Sequence, residues 1–140
     1  MFELIDKTIT NVYITEDRYR LAFKTTEDLY YLYGVDADCC SETWYAELNG
    51  YSSLQGAQVL EVDTSSFYSS DADPIHDCLQ SYGIKFRTNK GYVDIVYRNA
   101  SNGYYGGNFT SEGTVTELPK KKWDSKAKEK WEEIKEDFTS

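Results

Sequence analysis

The sequence of 140 residues contains few prolines and cysteines, two and three respectively. It also contains only one histidine and one methionine. No apolar run approaches the ~18 residues that a membrane-spanning helix needs. The first residues, Met1 to Asp6, contain neither a basic stretch nor a long apolar one, so we expect no secretory signal. Three cysteines, two of them adjacent, make a poor disulfide framework and are typical of a reducing cytoplasm.

The same scarcity argues against a metal centre and a catalytic triad. Cys39 and Cys40 are adjacent, and His76 and Cys78 lie far along the chain. Common zinc sites instead use pairs of ligands separated by roughly two to four residues, so that one turn can chelate the metal. Buried thiols explain these cysteines more simply. We therefore predict no metal, no cofactor and no catalytic residue, and we expect the protein not to be an enzyme.

Positive charge is also scarce, except near the end of the chain. The net charge is −9, and the residues up to Leu118 include 18 acidic and 8 basic side chains, whereas those from Pro119 include 6 and 7. An acidic surface argues against duplex nucleic acid and anionic membranes as partners. An anion that binds the first part of the chain must therefore use a few local arginines, lysines and backbone amides.

Aromatic residues are abundant: 13 tyrosines, 6 phenylalanines and 3 tryptophans favour pleated sheets and suit molecular recognition. Alternating apolar residues predict an antiparallel meander of three strands near residues 8–14, 18–25 and 29–33. They also predict a hairpin in which the strands 75–88 and 92–98 flank the turn Asn89-Lys90-Gly91.

Two segments show the spacing typical of helices. In the segment Ser41 to Gly50, Trp44 and Leu48 are four residues apart, Ser41 is a suitable N-cap and Gly50 can end the helix. Near the end of the chain, apolar residues recur every three or four positions: Trp123, Ala127, Trp131, Ile134 and Phe138. We therefore predict one α+β domain over residues 1–140. It has a mostly antiparallel β-sheet or half-barrel core over 1–118, a short internal helix, and a C-terminal amphipathic helix over 119–140.

The best candidate for a binding site is the segment from Arg98 to Gly107, with Tyr92 on the strand before it. Arg98 offers a planar fork for phosphate or carboxylate, and Tyr92 offers a ring that can stack on a base. The other candidate binding residues offer hydrogen bonds or close backbone approach: Asn99, Ser101, Asn102 and Gly103. A long turn explains the same residues without a ligand, so the pattern alone leaves both interpretations open.

Two motifs in this sequence resemble those of a family of small phage and prophage proteins known as a domain of unknown function. The motifs are Asp38-Cys39-Cys40-Ser41-x-x-Trp44 and Lys90-Gly91-Tyr92-x-Asp94-Ile95-x-Tyr97-Arg98-Asn99-x-Ser101-Asn102-Gly103-Tyr104-Tyr105-Gly106-Gly107. The resemblance covers about residues 5–110. Within that group, the chain is similar to the Thoeris anti-defence sponge proteins of the first type.

This resemblance implies a protein that captures a ligand and does no chemistry. Such sponge proteins combine a β-rich core with C-terminal helices, form dimers or higher oligomers such as hexamers, and sequester cyclic ADP-ribose isomers made by TIR-domain enzymes. Some also hold cyclic oligonucleotides at separate sites. An aromatic residue on a late strand and an asparagine ten residues later contact the ligand, and this spacing matches Tyr92 and Asn102. Ligand-binding arginines are implied at Arg98, by the motif, and at Arg87, by its nearness in the hairpin.

The expected protein is thus a phage anti-defence protein of the host-cell cytoplasm that binds a cyclic nucleotide without cleaving it. The charge pattern keeps a second function open. The acidic region Asp63–Asp77 and the net charge of −9 suit an acidic protein–protein inhibitor that mimics DNA and blocks a host defence effector. A nucleotide-cleaving enzyme is a third hypothesis, which recovery of intact ligand from the protein would exclude.

Overall fold

The computed structural model describes residues 1–37, 41–72, 78–101, 106–122 and 126–139. Helical structure in these ranges is limited to two 3₁₀ turns, Phe2–Leu4 and Tyr51–Ser53, and none of it is long and apolar enough to cross a membrane. The strands are β1 (Ile9–Thr15), β2 (Arg20–Thr25), β3 (Tyr30–Ala37), β4 (Glu42–Asn49), β5 (Val59–Asp71), β6 (Cys78–Thr88), β7 (Gly91–Ser101), β8 (Gly107–Val115), β9 (Trp131–Ile134) and β10 (Phe138–Thr139).

The strands form two five-stranded sheets, in the orders β8-β3-β2-β1-β9 and β10-β4-β7-β6-β5. All the strand pairs described are antiparallel, and the predicted meander β1-β2-β3 and hairpin β6-β7 are confirmed. The hairpin turn places Gly91 at a φ of 145°, where a Cβ atom would also lie 2.8 Å from the Oγ of Ser53. Glycine therefore fits both the backbone conformation and the close approach at this turn.

The hydrophobic core lies between the facing sides of the two sheets. Phe23 of the first sheet and Phe86 of the second are fully buried, and their ring centroids lie 5.7 Å apart. Burying side chains of this size stabilises the fold by roughly 1.5–3 kcal/mol each. Tyr45 of β4 is also fully buried and donates its hydroxyl to the carbonyl oxygen of Tyr33 on β3, at 3.0 Å. The two sheets are thus joined by apolar packing and by a buried hydrogen bond.

The chain is nearly all β, so the predicted α+β class with a half-barrel core is wrong. The segment Ser41 to Gly50, predicted as the internal helix, instead contains strand β4, which pairs with β7. A bulge lies between Tyr45 and Glu47. The extra residue at this bulge breaks the period-two alternation by which a strand is recognised in a sequence. Trp44 therefore lies opposite Arg98 and Leu48 opposite Ile95, on different faces of the sheet.

The predicted C-terminal helix is also wrong, because the described residues from Pro119 onward form strands β9 and β10 with irregular chain before them. β9 adds to the edge of β1, and β10 adds to the edge of β4. Ile134 is buried in the core, whereas Trp131 packs beside Arg20 on the outer face of the first sheet. The free edges of β1 and β4 supply backbone partners, and this tertiary pairing overrides the helical spacing. Trp123 lies outside the described residues.

The segment between β8 and β9 crosses the outer face of the first sheet and is fastened there by ion pairs. Arg20 is only 7% exposed, and its Nε and Nη1 donate to Glu112 at 2.8 Å and Glu129 at 3.3 Å. Lys122 Nζ lies 2.9 Å from a carboxylate oxygen of Asp17. A buried charge is costly unless it is paired, so the Arg20 contacts fix the position of this segment.

Candidate functional site

The predicted binding residues that the structure describes lie on two opposite faces of the second sheet. The alternation along β6 and β7 puts Arg87, Tyr92 and Arg98 on the outer face of the second sheet, whereas Asn99 and Ser101 face inward. Asn102 and Gly103 lie outside the described residues. Three of the five described candidates thus share one face, and the other two share the opposite face at the far end of β7.

The outer face carries an aromatic ring beside two cations, which we call the hairpin patch: Lys85, Arg87 and Tyr92. Arg87 and Tyr92 are directly opposite each other in the β6-β7 register. Tyr92 is 60% exposed, and the Nζ of Lys85 lies 5.5 Å from the centroid of its ring. Lys85 is not among the binding residues predicted from the sequence, although its alternation with Arg87 along one strand indicates that the two share a face.

Both cations of the hairpin patch pair with carboxylates at the protein surface. Arg87 Nη2 lies 2.8 Å from Glu61, and its hydrogen bond and charge hold the pKa of the Glu61 carboxyl below the ordinary value. Lys85 Nζ lies 3.9 Å from Asp94. Because surface ion pairs contribute little, these cations can turn to an incoming phosphate at small cost.

Arg98 is engaged by groups of the protein itself. Its Nη2 lies 2.5 Å from a carboxylate oxygen of Glu47, and its Nε donates to the Oγ of Ser81 at 3.1 Å. It also lies six residues from Tyr92 on the same strand, a distance of about 20 Å at the usual rise per residue. A nucleotide stacked on Tyr92 is therefore out of reach of Arg98 in the same copy of the chain.

Asn99 belongs to a polar network at the opposite end of β7, which we call the strand-end cluster: Thr43, Gln80, Tyr82, Asn99 and Gly107. Asn99 is fully buried, accepts a hydrogen bond from the Oγ1 of Thr43 at 2.9 Å and donates from Nδ2 to the Oε1 of Gln80 at 3.1 Å. The hydroxyl of Tyr82 donates to the same Gln80 oxygen at 3.1 Å and accepts from the Gly107 amide at 3.2 Å. Such mutual pairing is typical of a network that rigidifies a structure.

The strand-end cluster is closely packed. The rings of Tyr82 and Tyr97 stack with centroids 4.9 Å apart and planes 10° apart. A Cβ atom on Gly107 would lie 2.9 Å from the Cβ of Asn99 and 3.0 Å from Thr43, so only glycine fits there. Strands β3, β5 and β7 end near this cluster, and β4, β6 and β8 begin there. Loops mounted on rigid strand ends are a common position for binding residues.

The described residues contain no group of three or more histidine, cysteine or acidic side chains placed to hold a metal ion. Cys39, Cys40 and His76 lie outside the described residues. Cys78, which is described, has its Sγ 3.2 Å from the Oγ of Ser70 across the β5-β6 pair. What the structure does bring together is therefore a hairpin patch suited to anions and a strand-end cluster suited to supporting loops.

Residues 2–111 match the family described as Domain of unknown function (DUF7448). The chain belongs to this family. An uncharacterized protein of Acanthamoeba polyphaga mimivirus is 32% identical over 105 residues, which cover 71% of this chain and 82% of that protein. No solved structure matches the chain. The residues matched to the DUF7448 family include the hairpin patch and the strand-end cluster, and they end before β9 and β10.

Proposed function

We propose that the protein is a phage anti-defence protein that captures a cyclic nucleotide signal and holds it uncleaved. The ligand class is a cyclic ADP-ribose isomer of the kind made by TIR-domain enzymes. The observation that supports this is the hairpin patch, an exposed tyrosine beside two cations in a chain of net charge −9. Stacking of a base on an aromatic side chain contributes about 1–3 kcal/mol, and Arg87 and Lys85 would hold the phosphates.

The geometry of β7 favours a site shared between two copies of the chain. β7 pairs with β6 over its whole length without a register shift. The nine residue steps from Tyr92 to Ser101 therefore span about 30 Å, far more than the length of one nucleotide. A ligand that contacts both Tyr92 and the Ser101 end of β7 would need these two ends from two different copies. We therefore propose that the protein works as a homo-oligomer, a dimer or higher.

The test is isothermal titration with the isomers of cyclic ADP-ribose. We expect the unchanged protein to bind one of them and to release it intact after heat denaturation. Tyr92→Ala should weaken binding by at least about ten-fold, because the stacking surface is lost. Its melting temperature should stay nearly unchanged, since the ring is 60% exposed.

Phe67→Ala is the matched control for this titration, because Phe67 is also on the outer face of the second sheet and is 52% exposed. It should bind like the unchanged protein. The proposal fails if no cyclic nucleotide produces heat or a thermal shift, or if Tyr92→Ala binds as tightly as Phe67→Ala. Recovery of a linear product in place of the cyclic ligand would show cleavage and would contradict the sequestration mechanism.

The exposed edge of β5 favours a second candidate function, the acidic protein–protein inhibitor. β5 is the last strand of its sheet, and its 13 residues contain Glu61, Asp63 and Asp71 but no lysine, arginine or proline. Phe67 and Tyr68, in the same strand, are 52% and 57% exposed. A long edge strand without positive charge or proline is a ready template for another chain, and acidic side chains select a basic one.

An extended peptide of alternating lysine and valine is a suitable probe for this second candidate. We expect binding that weakens steeply as salt is raised, because the attraction involves exposed charges. Ser69→Lys, which adds a positive charge to the edge, should abolish this binding, and Tyr92→Ala should not affect it. Peptide binding that is insensitive both to salt and to Ser69→Lys would rule out the β5 edge as an acidic docking strand.

A further inference from the structure

Four lysines of the C-terminal segment have no ion-pair or hydrogen-bond partner among the residues that the structure describes. Of the eleven lysines in the sequence, Lys90 donates to the carbonyl oxygen of Gln55 at 2.9 Å. Six pair with carboxylates: Lys7, Lys24, Lys85, Lys122, Lys130 and Lys135. The four side chains that make no ion pair or hydrogen bond across the described ranges are Lys120, Lys121, Lys126 and Lys128. In a chain with 24 acidic residues, four unpaired lysines in one short segment are a concentrated positive charge.

These four lysines line a single cavity of about 480 Å³, which we call the lysine cavity. Its volume falls within the roughly 300–1,000 Å³ typical of small-molecule sites. Glu129 also lines the cavity, but its side chain is only 2% exposed and its carboxylate is engaged by Arg20 at 3.3 Å. Among the described residues that line the cavity, the four lysines therefore outweigh the one carboxylate.

The four lysines lie on two short stretches of chain, residues 120–122 and 126–129, which we call the two arms. Backbone contacts between the arms fix their arrangement. The amide of Glu129 donates to the carbonyl oxygen of Lys120 at 2.9 Å, and Lys121 and Lys128 form an antiparallel bridge. The arms are thus a short paired ribbon, and their lysine side chains need not be gathered from a disordered segment when an anion arrives. Preorganisation of this kind lowers the entropic cost of binding.

The base of the lysine cavity is apolar and is tied to the body of the protein. Leu118, Pro119 and Trp131 complete the lining. Trp131 donates from its indole Nε1 to the carbonyl oxygen of Pro119 at 2.8 Å, and the guanidinium carbon of Arg20 lies 5.5 Å from its ring centroid. The lining of the cavity thus combines four lysine side chains with an apolar surface that includes the Trp131 ring.

This combination selects a particular chemical class of ligand. Four like charges around one cavity repel each other, and an anion relieves that repulsion. Lysine binds phosphate as a mobile point charge, and four lysines exceed what a single phosphate requires. A chain of phosphates distributes its charge over all four, and a base attached to that chain can pack against Trp131.

We propose that the lysine cavity is an anion-binding site for a phosphate chain, such as that of a nucleoside triphosphate or inorganic polyphosphate. The site is distinct from the hairpin patch, because its lining residues lie in the segment 118–131, beyond the residues matched to the family. It does not depend on the function proposed above. An anion bound here would bridge the two arms of the ribbon and neutralise the positive charge of the four lysines.

Isothermal titration with inorganic tripolyphosphate, ATP and adenosine tests this site. We expect tripolyphosphate and ATP to bind and adenosine not to bind, with affinity falling as salt is raised. The double variant Lys121→Gln/Lys128→Gln should weaken ATP binding by at least about ten-fold, because each lost lysine removes a charge-assisted contact to phosphate. Equal affinities for ATP and tripolyphosphate would mean that the protein recognises the phosphates alone. Tighter binding of ATP would mean that the adenine ring also contacts the apolar lining of the cavity. Both outcomes support the site.

The matched control is Lys130→Gln/Lys135→Gln, which changes the net charge equally in the same segment but outside the lysine cavity. It should alter ATP affinity by less than about two-fold. Equal losses in the two double variants, or no binding of tripolyphosphate, would overturn the proposal. Tyr92→Ala should leave tripolyphosphate binding unchanged. Failure of the lysine cavity is thus distinguishable from failure of the hairpin patch, which is measured with cyclic ADP-ribose.

Discussion

Arg20 and Glu129 lie 109 residues apart in the sequence, and their side chains meet at 3.3 Å on the outer face of the first sheet. Both are largely buried, with side chains 8% and 2% exposed. Glu112 of β8 approaches the same guanidinium at 2.8 Å. This triad joins the C-terminal segment to the strands of the first sheet and supports the position of the lysine cavity.

Arg20→Ala should be strongly destabilising. It leaves the carboxylates of Glu112 and Glu129 buried without their cation, and breaking a buried ion pair in this way costs about 3–5 kcal/mol. Urea unfolding measures the loss. The control is Lys135→Ala, which breaks the exposed 3.9 Å pair with Glu133 and should cost under about 1 kcal/mol. Similar small losses in both variants would show that the triad does not fasten the C-terminal segment.

Removal of residues 119–140 should reduce stability and promote self-association. The truncated chain loses β9 and β10, so the edges of β1 and β4 become unpaired. Unpaired edge strands are templates for pairing with other chains. Light scattering after size-exclusion chromatography should show larger and less uniform species than the full chain forms. A truncated chain with the same mass distribution and the same unfolding midpoint would show that β9 and β10 do not protect the sheets.

Asn99→Ala should lower the free energy of unfolding, because Asn99 is part of a buried hydrogen-bond network. The change leaves the Thr43 hydroxyl and the Gln80 carbonyl oxygen without their Asn99 partner in a buried network, at a cost of about 1–3 kcal/mol. Arg87→Ala, at an exposed site, should change the free energy of unfolding by less than about 0.5 kcal/mol. Chemical denaturation of both variants gives the comparison. If Asn99→Ala were as stable as Arg87→Ala, the strand-end cluster would not be a structural network.

The strands most clearly indicated by the sequence are those with regular alternation, although β1 and β3, whose pairings contain register shifts, were also predicted. In β2 and β6, apolar side chains such as Phe23 and Phe86 occur at every second position on the core side, which is the signal of a half-buried strand. β4 was missed because its bulge interrupts that period. The C-terminal strands were missed because their formation depends on the free edges of β1 and β4, which are distant in sequence. Local spacing carries no information about such edges.

Part of the candidate site could also be predicted, from the position of the hairpin turn and from strand alternation. The opposition of Arg87 and Tyr92 follows from the position of the turn between them, which the sequence indicates. The placement of Arg98 and Asn99 on opposite faces also follows from alternation, because neighbouring residues of a strand point to opposite sides. The engagement of Arg98 by Glu47 was not predictable, since Glu47 lies in the segment first interpreted as a helix.

Alkaline pH should unfold the protein through its buried tyrosines. Burial raises the pKa of Tyr97 to about 12, with a further contribution from neighbouring Tyr82, and burial raises the pKa of Tyr45 well above its ordinary value. An unfolded tyrosine titrates near ~10. Above that pH the unfolded chain releases protons that the folded protein retains, so the free energy of unfolding falls as pH rises. The contribution of Tyr97 is fully present below pH ~10 and is lost as pH rises toward about 12.

Tyr97→Phe tests this linkage, because it removes the titrating hydroxyl and keeps the ring that stacks on Tyr82. Unfolding by urea, followed at a series of pH values from neutral to about 11, should give a shallower alkaline fall for the variant than for the unchanged protein. Tyr92→Phe is the control, since it makes the same chemical change on a ring that is 60% exposed. If the slopes of all three proteins coincide, the retained proton is not on Tyr97, and other tyrosines whose pKa is raised by burial, such as Tyr45 and Tyr33, account for the alkaline sensitivity.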